Sequence, residues 1–481
     1  MRRFQPCIFR MVLFGVLAAL GTVAVAGDWN RFRGPNGSGI SDEATPTPVT
    51  WSPTQNLKWK VALPGPGSSS PIIVGDKIFV TCWSGYGTDR GRSGTQKDLK
   101  RHLICLDRQT GKTIWDKTVD PVLPEDNYGG MFAEHGYATH TPVSDGERVY
   151  VFFGKTGALA FDLNGKQLWQ TPLGTDSDRM GWGSGCSPIL YKNLVIVTAT
   201  PESLAMYALD KETGKEVWRS KSDGYSGTWG TPVLVEVDAT RTDLVLGVPN
   251  EIWAINPDTG KLRWYCEALN TRSFCSSVVT DGKVVYAMGD QGSGSIAIKA
   301  GGEKDVTKSH VAWTGRDNNR IGTPVVADGK LYFVSNRVAT CVDASTGTKV
   351  YQGRLGGGSG AIAQDDESPR RGPGGGGPGG GGPGSGGPGG GRGGPAGGGG
   401  RGGMGGQDYS SPIVADGKMY YVSRNGEAHV MKLGDKFELL ATNRVTEEVE
   451  DFSATPAVSN GALFIRSSKH LYCVAEGTKA K

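Results

Sequence analysis

The hydrophobic positions of this chain come in short bursts. Runs of Val, Ile, Leu, Tyr and Phe, a few residues long, alternate with polar stretches rich in Gly, Asp, Asn and Thr. Thr323-Pro324 is followed by Val-Val-Ala, Asp-Gly-Lys and Leu-Tyr-Phe-Val, and Ser411-Pro412 by Ile-Val-Ala, Asp-Gly-Lys and Met-Tyr-Tyr-Val. Brief β-branched and aromatic runs split by Asp-Gly signals predict strands joined by tight hairpins. No ten-residue stretch carries a convincing helical period, so the expected class is all-β.

The bursts repeat. The Ser or Thr that opens this module is read at residues 70, 141, 187, 231, 276, 323, 411 and 455, giving a period of about 45 residues with two longer intervals. A second module follows it. Ala208–Trp218 matches Ala254–Trp264 and Cys105–Trp115, Ala160–Trp169 is one residue shorter, and Cys341–Tyr351 ends in Tyr. Four strands per unit, eight times over, specify an eight-bladed β-propeller of four-stranded blades. The eighth unit stops after Leu471–Ala475 without an outer strand, and Leu57–Leu63 is the segment expected to supply it, a terminal-strand closure that leaves no open edge. Trp59, Trp115, Trp169, Trp218, Trp264 and Trp313 share one outer-strand position and are expected to dock neighbouring blades. Cys105, Cys341 and Cys473 stand where other repeats have Ala160, Ala208 and Ala254, and read as small packing residues.

Composition changes the picture at the two irregular places. Of 76 glycines, 29 fall in residues 356–406, without the strict every-third-residue spacing of collagen, so this block reads as a disordered loop. Residues 1–26 read as a secretory signal peptide: Arg2, Arg3 and Arg10, an apolar run Met11–Val23 too short to span a bilayer, and Ala24-Val25-Ala26. The expected location is therefore exported, periplasmic or extracellular, with no integral membrane segment after cleavage. Three of the +4 formal charges belong to that leader, so the remainder offers no electrostatic case for nucleic acid. The expected organisation is 1–26 leader, 27–56 lead-in, 57–355 blades one to six with the closing strand, 356–408 insertion, 409–477 blades seven and eight, and 478–481 tail. Once Cys7 leaves with the leader the cysteine count is odd and no C-x-x-C occurs; pairing of Cys266 with Cys275 stays open.

The A-x-D-x-x-T-G-K-x-x-W unit resembles the tryptophan-docking repeat of pyrroloquinoline-quinone-type (PQQ-type) eight-bladed propellers, over roughly residues 57–475 apart from the Gly/Pro block. Asp28–Gly39 is similar to the opening stretch of secreted propellers of this group. That superfamily contains quinoprotein dehydrogenases and non-catalytic BamB-like assembly proteins. The resemblance to the dehydrogenases implies adjacent cysteines over the quinone, calcium held by a Glu, an Asn and an Asp, and an Asp as base. No Cys-Cys pair occurs in this sequence, and the calcium ligands match no motif here. The reading is a binding or assembly scaffold of the cell envelope, with an envelope protein or a small-molecule or sugar ligand as partner; the alternative is a dehydrogenase of an alcohol or sugar using PQQ and Ca2+.

Chain direction locates the face such a site would use. The A–B and C–D turns are short, whereas Trp83–Arg101, Thr118–Ala138 and the insertion all open on the opposite face, where function is expected. The residues before each inner strand then ring the channel mouth: Glu134, His135, His140, Trp182, Trp229, Arg272, Asn319, Arg320, Asp408 and Asp451. Trp182 or Trp229 would stack on a planar ligand, and Arg272 or Arg320 would pair with its carboxylates. His135 and Asp408 are candidate general bases by position alone. The segment Glu134–His140 fixes no ligand geometry, so no metal is assigned.

Overall fold

The computed structural model describes residues 27–88, 94–356 and 407–479; the expected leader, all but the ends of the insertion, and the last two tail residues lie outside these. Eight antiparallel sheets follow one another in chain order, each a meander from an inner to an outer strand. The first blade runs Ile72–Val74, Lys77–Ser84, Lys100–Asp107 and Thr113–Val119. The inner strands of the next six begin at Val143, Ile189, Val233, Val279, Val325 and Ile413. The eighth blade has Ala457–Ser459, Ala462–Arg466 and His470–Lys479, and its fourth strand is Gln55–Ala62, so the termini close the ring. The fold is an eight-bladed β-propeller. The one α-helix among the described residues is Thr200–Ser203.

The core lies between blades. Phe79, Leu103 and Cys105 of the first pack on Val149, Leu159 and Phe161 of the second, all within 2% of full burial. The docking tryptophans finish these joints. Trp59, Trp115, Trp169, Trp218 and Trp313 each donate the indole N–H to a backbone carbonyl of the following blade, at Arg108, Leu163, Lys211, Pro257 and Ala344, over 2.9–3.2 Å. Each ring lies against the turn glycine of that blade. A Cβ on Gly260 would come within 2.5 Å of Trp218, and its φ is +72°, so glycine is required twice over. Across the strand from each indole sits Cys473, Cys105, Ala160, Ala208 or Ala297, which explains why small residues recur there.

Trp264 departs from the expected pattern. Its indole N–H donates to Asp243 of its own blade at 2.9 Å, and Asp243, fully buried, is also bonded by Arg241 and Arg263. The fifth blade has no D-x-x-T-G-K turn to receive it. Instead its last hairpin sends Lys304–Asp305 back to pair in parallel with Trp264–Tyr265, as a fifth strand on the fourth blade. Trp218→Ala should therefore weaken a joint between blades, costing about 3–5 kcal/mol in urea unfolding. Trp264→Ala should cost a similar amount, because it removes one of the donors to buried Asp243, which keeps Arg241 and Arg263, and empties a core that Trp264 shares with Val285 and Ile298 of the fifth blade.

The segment described only as a lead-in proves integral to the fold. Trp29 exchanges both backbone hydrogen bonds with Ile73 of the first blade, and Asn30 bonds Ser144 of the second. Arg31 and Asn36 reach Pro232 and Leu234 of the fourth. Arg33 reaches the sixth and seventh, and Ile40–Ser41 pairs in parallel with Val414–Ala415 as an extra inner strand on the seventh. Gly34 permits the tight path, because a Cβ there would sit 2.6 Å from Trp29. Residues 29–41 thus cross the channel on the face of the short turns.

Candidate functional site

The repeat's opening Ser/Thr turns out to have a chemical role as well as a place in the pattern. The backbone N–H of Ser70 donates to the Thr141 hydroxyl at 2.9 Å, Thr141 N–H to Ser187, Ser187 to Thr231, and Thr231 to Ser277, each at 2.9–3.0 Å. Ser277 continues to Thr323, Thr323 to Ser411, and Ser411 to Thr455, over the same distances. Seven links thus run from blade to blade around the axis. The fifth member is Ser277, not Ser276 as the spacing suggested; Ser276 turns its hydroxyl to the carbonyls of Ser277 and Gly322. The correction makes both neighbouring intervals 46 residues.

These hydroxyls line an axial cavity of about 150 Å³ that opens towards the long loops. Phe32 of the crossing segment also lines it, and Arg31 and Arg33 are buried beside it. Its wall carries Met131, His135, Trp182, Trp229, Cys275, Arg320 and Tyr409. The two indoles lie 4.9 Å apart at 38°, Trp229 is fixed by donating to the Gly183 carbonyl at 2.7 Å, and the Arg320 guanidinium sits 5.4 Å from the Trp182 ring. Burial pulls His135 down to about 4, leaving a neutral imidazole whose Nδ1 pairs with Thr139 Oγ1 at 2.9 Å. Burial also pushes the Cys275 thiol up to about 11, so no thiolate is on offer near neutral pH.

Of the ten expected mouth residues, four line this cavity: His135, Trp182, Trp229 and Arg320. Glu134 and Asp451 stand just outside, clamping Arg424 at 2.5 and 2.6 Å; burial opposes the charge on Arg424, yet Asp451 and Glu134 lift its pKa above the ordinary value. Asp408 accepts from the Arg424 backbone N–H and the Tyr421 hydroxyl, both at 2.7 Å, so its two oxygens are engaged in fixing a loop. Asn319 is buried off the axis and Arg272 is exposed on the rim. His140 is buried against Phe152, at 4.6 Å, and faces a small polar cavity shared with Arg101, Glu125 and Glu202. The residues that position alone did not single out are the ring hydroxyls, Phe32, Cys275 and Tyr409. All the described cysteines, Cys266 and Cys275 included, are free thiols.

An axial cavity above eight repeated blades and their docking tryptophans defines a PQQ-repeat propeller. The chain belongs to the family described as outer membrane protein assembly factor BamB, whose model matches residues 99–353, more than half its length. It is 24% identical over 298 residues to a polyvinylalcohol dehydrogenase of Pseudomonas sp, covering 44% of this chain and 46% of that one. The chain thus spans less than half the length of that relative. Among solved structures it resembles BamB from Moraxella catarrhalis, with TM-score 0.54 at 12% identity over 87% of this chain and 98% of that one. It also resembles a europium-containing methanol dehydrogenase, with TM-score 0.57 at 12% identity over 94% and 90%. These likenesses establish the fold. No helix among the described residues is long and apolar enough to cross a membrane.

Proposed function

We propose that this chain is an exported binding module of the cell envelope, which holds a partner or ligand on the loop-bearing face of the propeller. The observation that carries this reading is the lining of the axial cavity. It consists of hydroxyls, two indoles, other apolar groups, a neutral imidazole and one guanidinium, and no Asp, Glu or Asn is among the described residues that form it. Calcium needs six to eight hard oxygen ligands, carboxylates foremost. The nearby carboxylates Glu134 and Asp451 are held by Arg424, and Cys275 has no adjacent cysteine. The residues present therefore do not fit a quinone seated beside calcium, and no redox step is derived from them. The envelope setting is supported by the family's description as an outer membrane assembly factor and by the leader read at residues 1–26.

The decisive experiment is a titration of the purified protein with pyrroloquinoline quinone and calcium, following quinone absorbance and dye reduction with short alcohols and sugars. The expected result is no calcium-dependent turnover. Saturable, calcium-dependent quinone binding with dye reduction would overturn the reading in favour of a dehydrogenase.

A further inference from the structure

We infer that the axial cavity is a site for an oxyanion: a carboxylate, sulfonate or phosphate head group seated on the propeller axis. This rests on the reading of the loop-bearing face as a binding face and specifies the chemistry at its centre.

The argument begins with hydrogen-bond capacity. A Ser or Thr hydroxyl has one proton to donate and two lone pairs that accept. In seven of the ring residues a lone pair already receives the backbone N–H of the preceding blade. None of those seven hydroxyls donates its own proton to an acceptor among the described residues. All seven are at least 94% buried, and all border the same cavity. Buried polar hydrogens normally find an acceptor. Seven donors surrounding one axis therefore call for a ligand rich in acceptors.

Charge points the same way. Arg320 is the one Lys, Arg, Asp or Glu in the described lining, and its guanidinium lies beside Trp182. On the opposite side lie Arg31 and Arg33, 6% and 0% exposed, whose guanidiniums bond only backbone carbonyls. Two of those carbonyls belong to Thr323 and Pro324, so Arg33 lies directly beneath a ring residue. Burial lowers Arg31 to about 10 and Arg33 to about 9, which leaves both charged near neutral pH. A cation at the mouth and a collar of O–H donors form the anion site itself; the two buried guanidiniums do not line the cavity and add only a positive potential beneath it. A sugar, which donates as much as it accepts, would find few acceptors here. The indole pair adds a wall for a flat apolar body attached to the anionic head.

The test is calorimetric titration with sodium sulfate, acetate and benzoate at constant ionic strength, with benzamide as the neutral counterpart of benzoate. Benzoate is expected to bind saturably and to change tryptophan fluorescence, and benzamide to bind at least tenfold more weakly. A stronger response to sulfate than to benzoate would identify a free inorganic ion as the ligand type, whereas the reverse would identify a carboxylate on a larger body; either result supports the site. Arg320→Gln and Thr231→Val should each weaken binding several-fold, while Arg272→Gln, exposed and outside the cavity, should not. No anion binding, equal response to benzamide, or full affinity in Arg320→Gln would overturn the inference and mark the cavity as a column of water. The functional reading fails separately, on calcium-dependent quinone turnover.

Discussion

Arg33→Ala is expected to destabilise the protein by about 3–5 kcal/mol, because it removes a buried cation together with the donors that satisfy five carbonyls. The guanidinium bonds Gly37 and Ser38 of its own segment at 3.2 Å each, Thr323 and Pro412 at 3.0 Å, and Pro324 at 2.6 Å. Four of these bonds are buried and the one to Ser38 is partly so, and Arg33 itself is completely buried. The loss should appear as a lower urea midpoint and as faster proteolysis of the segment before Trp51. Arg33→Lys keeps the charge but replaces a planar fork with a single ammonium, so it should fall between wild type and alanine. An alanine variant as stable as the parent would show that residues 29–41 add nothing to the ring.

Mild acid should unfold the protein steeply. Burial holds His135 down at about 4, His140 at about 3 and His429 at about 4. For His140 the Arg101 cation adds to burial, against a weaker opposing contact with the Phe152 backbone. The ordinary value is 6.5, so between pH 6.5 and 4 the unfolded chain binds protons that the native one refuses, and stability falls as pH falls. Glu202 works in the other direction. Burial raises it to about 7, so the native state takes up its proton first and gains stability on acidification towards 4.5. Three losses against one gain leave about two protons, an upper slope on the order of 2–3 kcal/mol per pH unit around pH 5.5. Thermal melts from pH 7.5 to 4.5 would measure it. His140→Gln should remove about one proton's share of the slope, and an unchanged slope would show that His140 already carries its proton in the native state.

The fold was legible from the chain because a propeller writes its period into the sequence. Asp-Gly and Thr-Gly-Lys turns mark each hairpin, and the tryptophan marks each outer strand. Closure by a strand near Leu57 followed from a missing partner in the eighth unit. What the repeat does not place is what does not repeat. Arg31, Phe32 and Arg33 occur once, in a stretch with no strand pattern, and their contacts lie 201 to 379 residues away for the two arginines. No local rule reaches that far. The exceptional Trp264 was equally invisible, since its own strand is regular and the irregularity lies in the next blade's missing turn.

The mouth residues were half legible for a related reason. Strand order says which residues precede each inner strand, but not which way a side chain turns once charges compete. His140 turns outward from the axis, and Asp408 and Asp451 are drawn to Arg424 and its loop. The ring hydroxyls were visible throughout as the first letter of every repeat. Their chemistry emerges only when seven of them are seen to accept a hydrogen bond from the backbone N–H of the preceding blade.

The crossing segment also decides how a guest would come and go. With residues 29–41 laid over one end, the central passage is a well and not a tube. Whatever enters past the long loops must leave the same way, so its residence time is governed by the rim and not by flow through the molecule. A guest longer than the well is deep would keep its far end outside, held out beyond the rim.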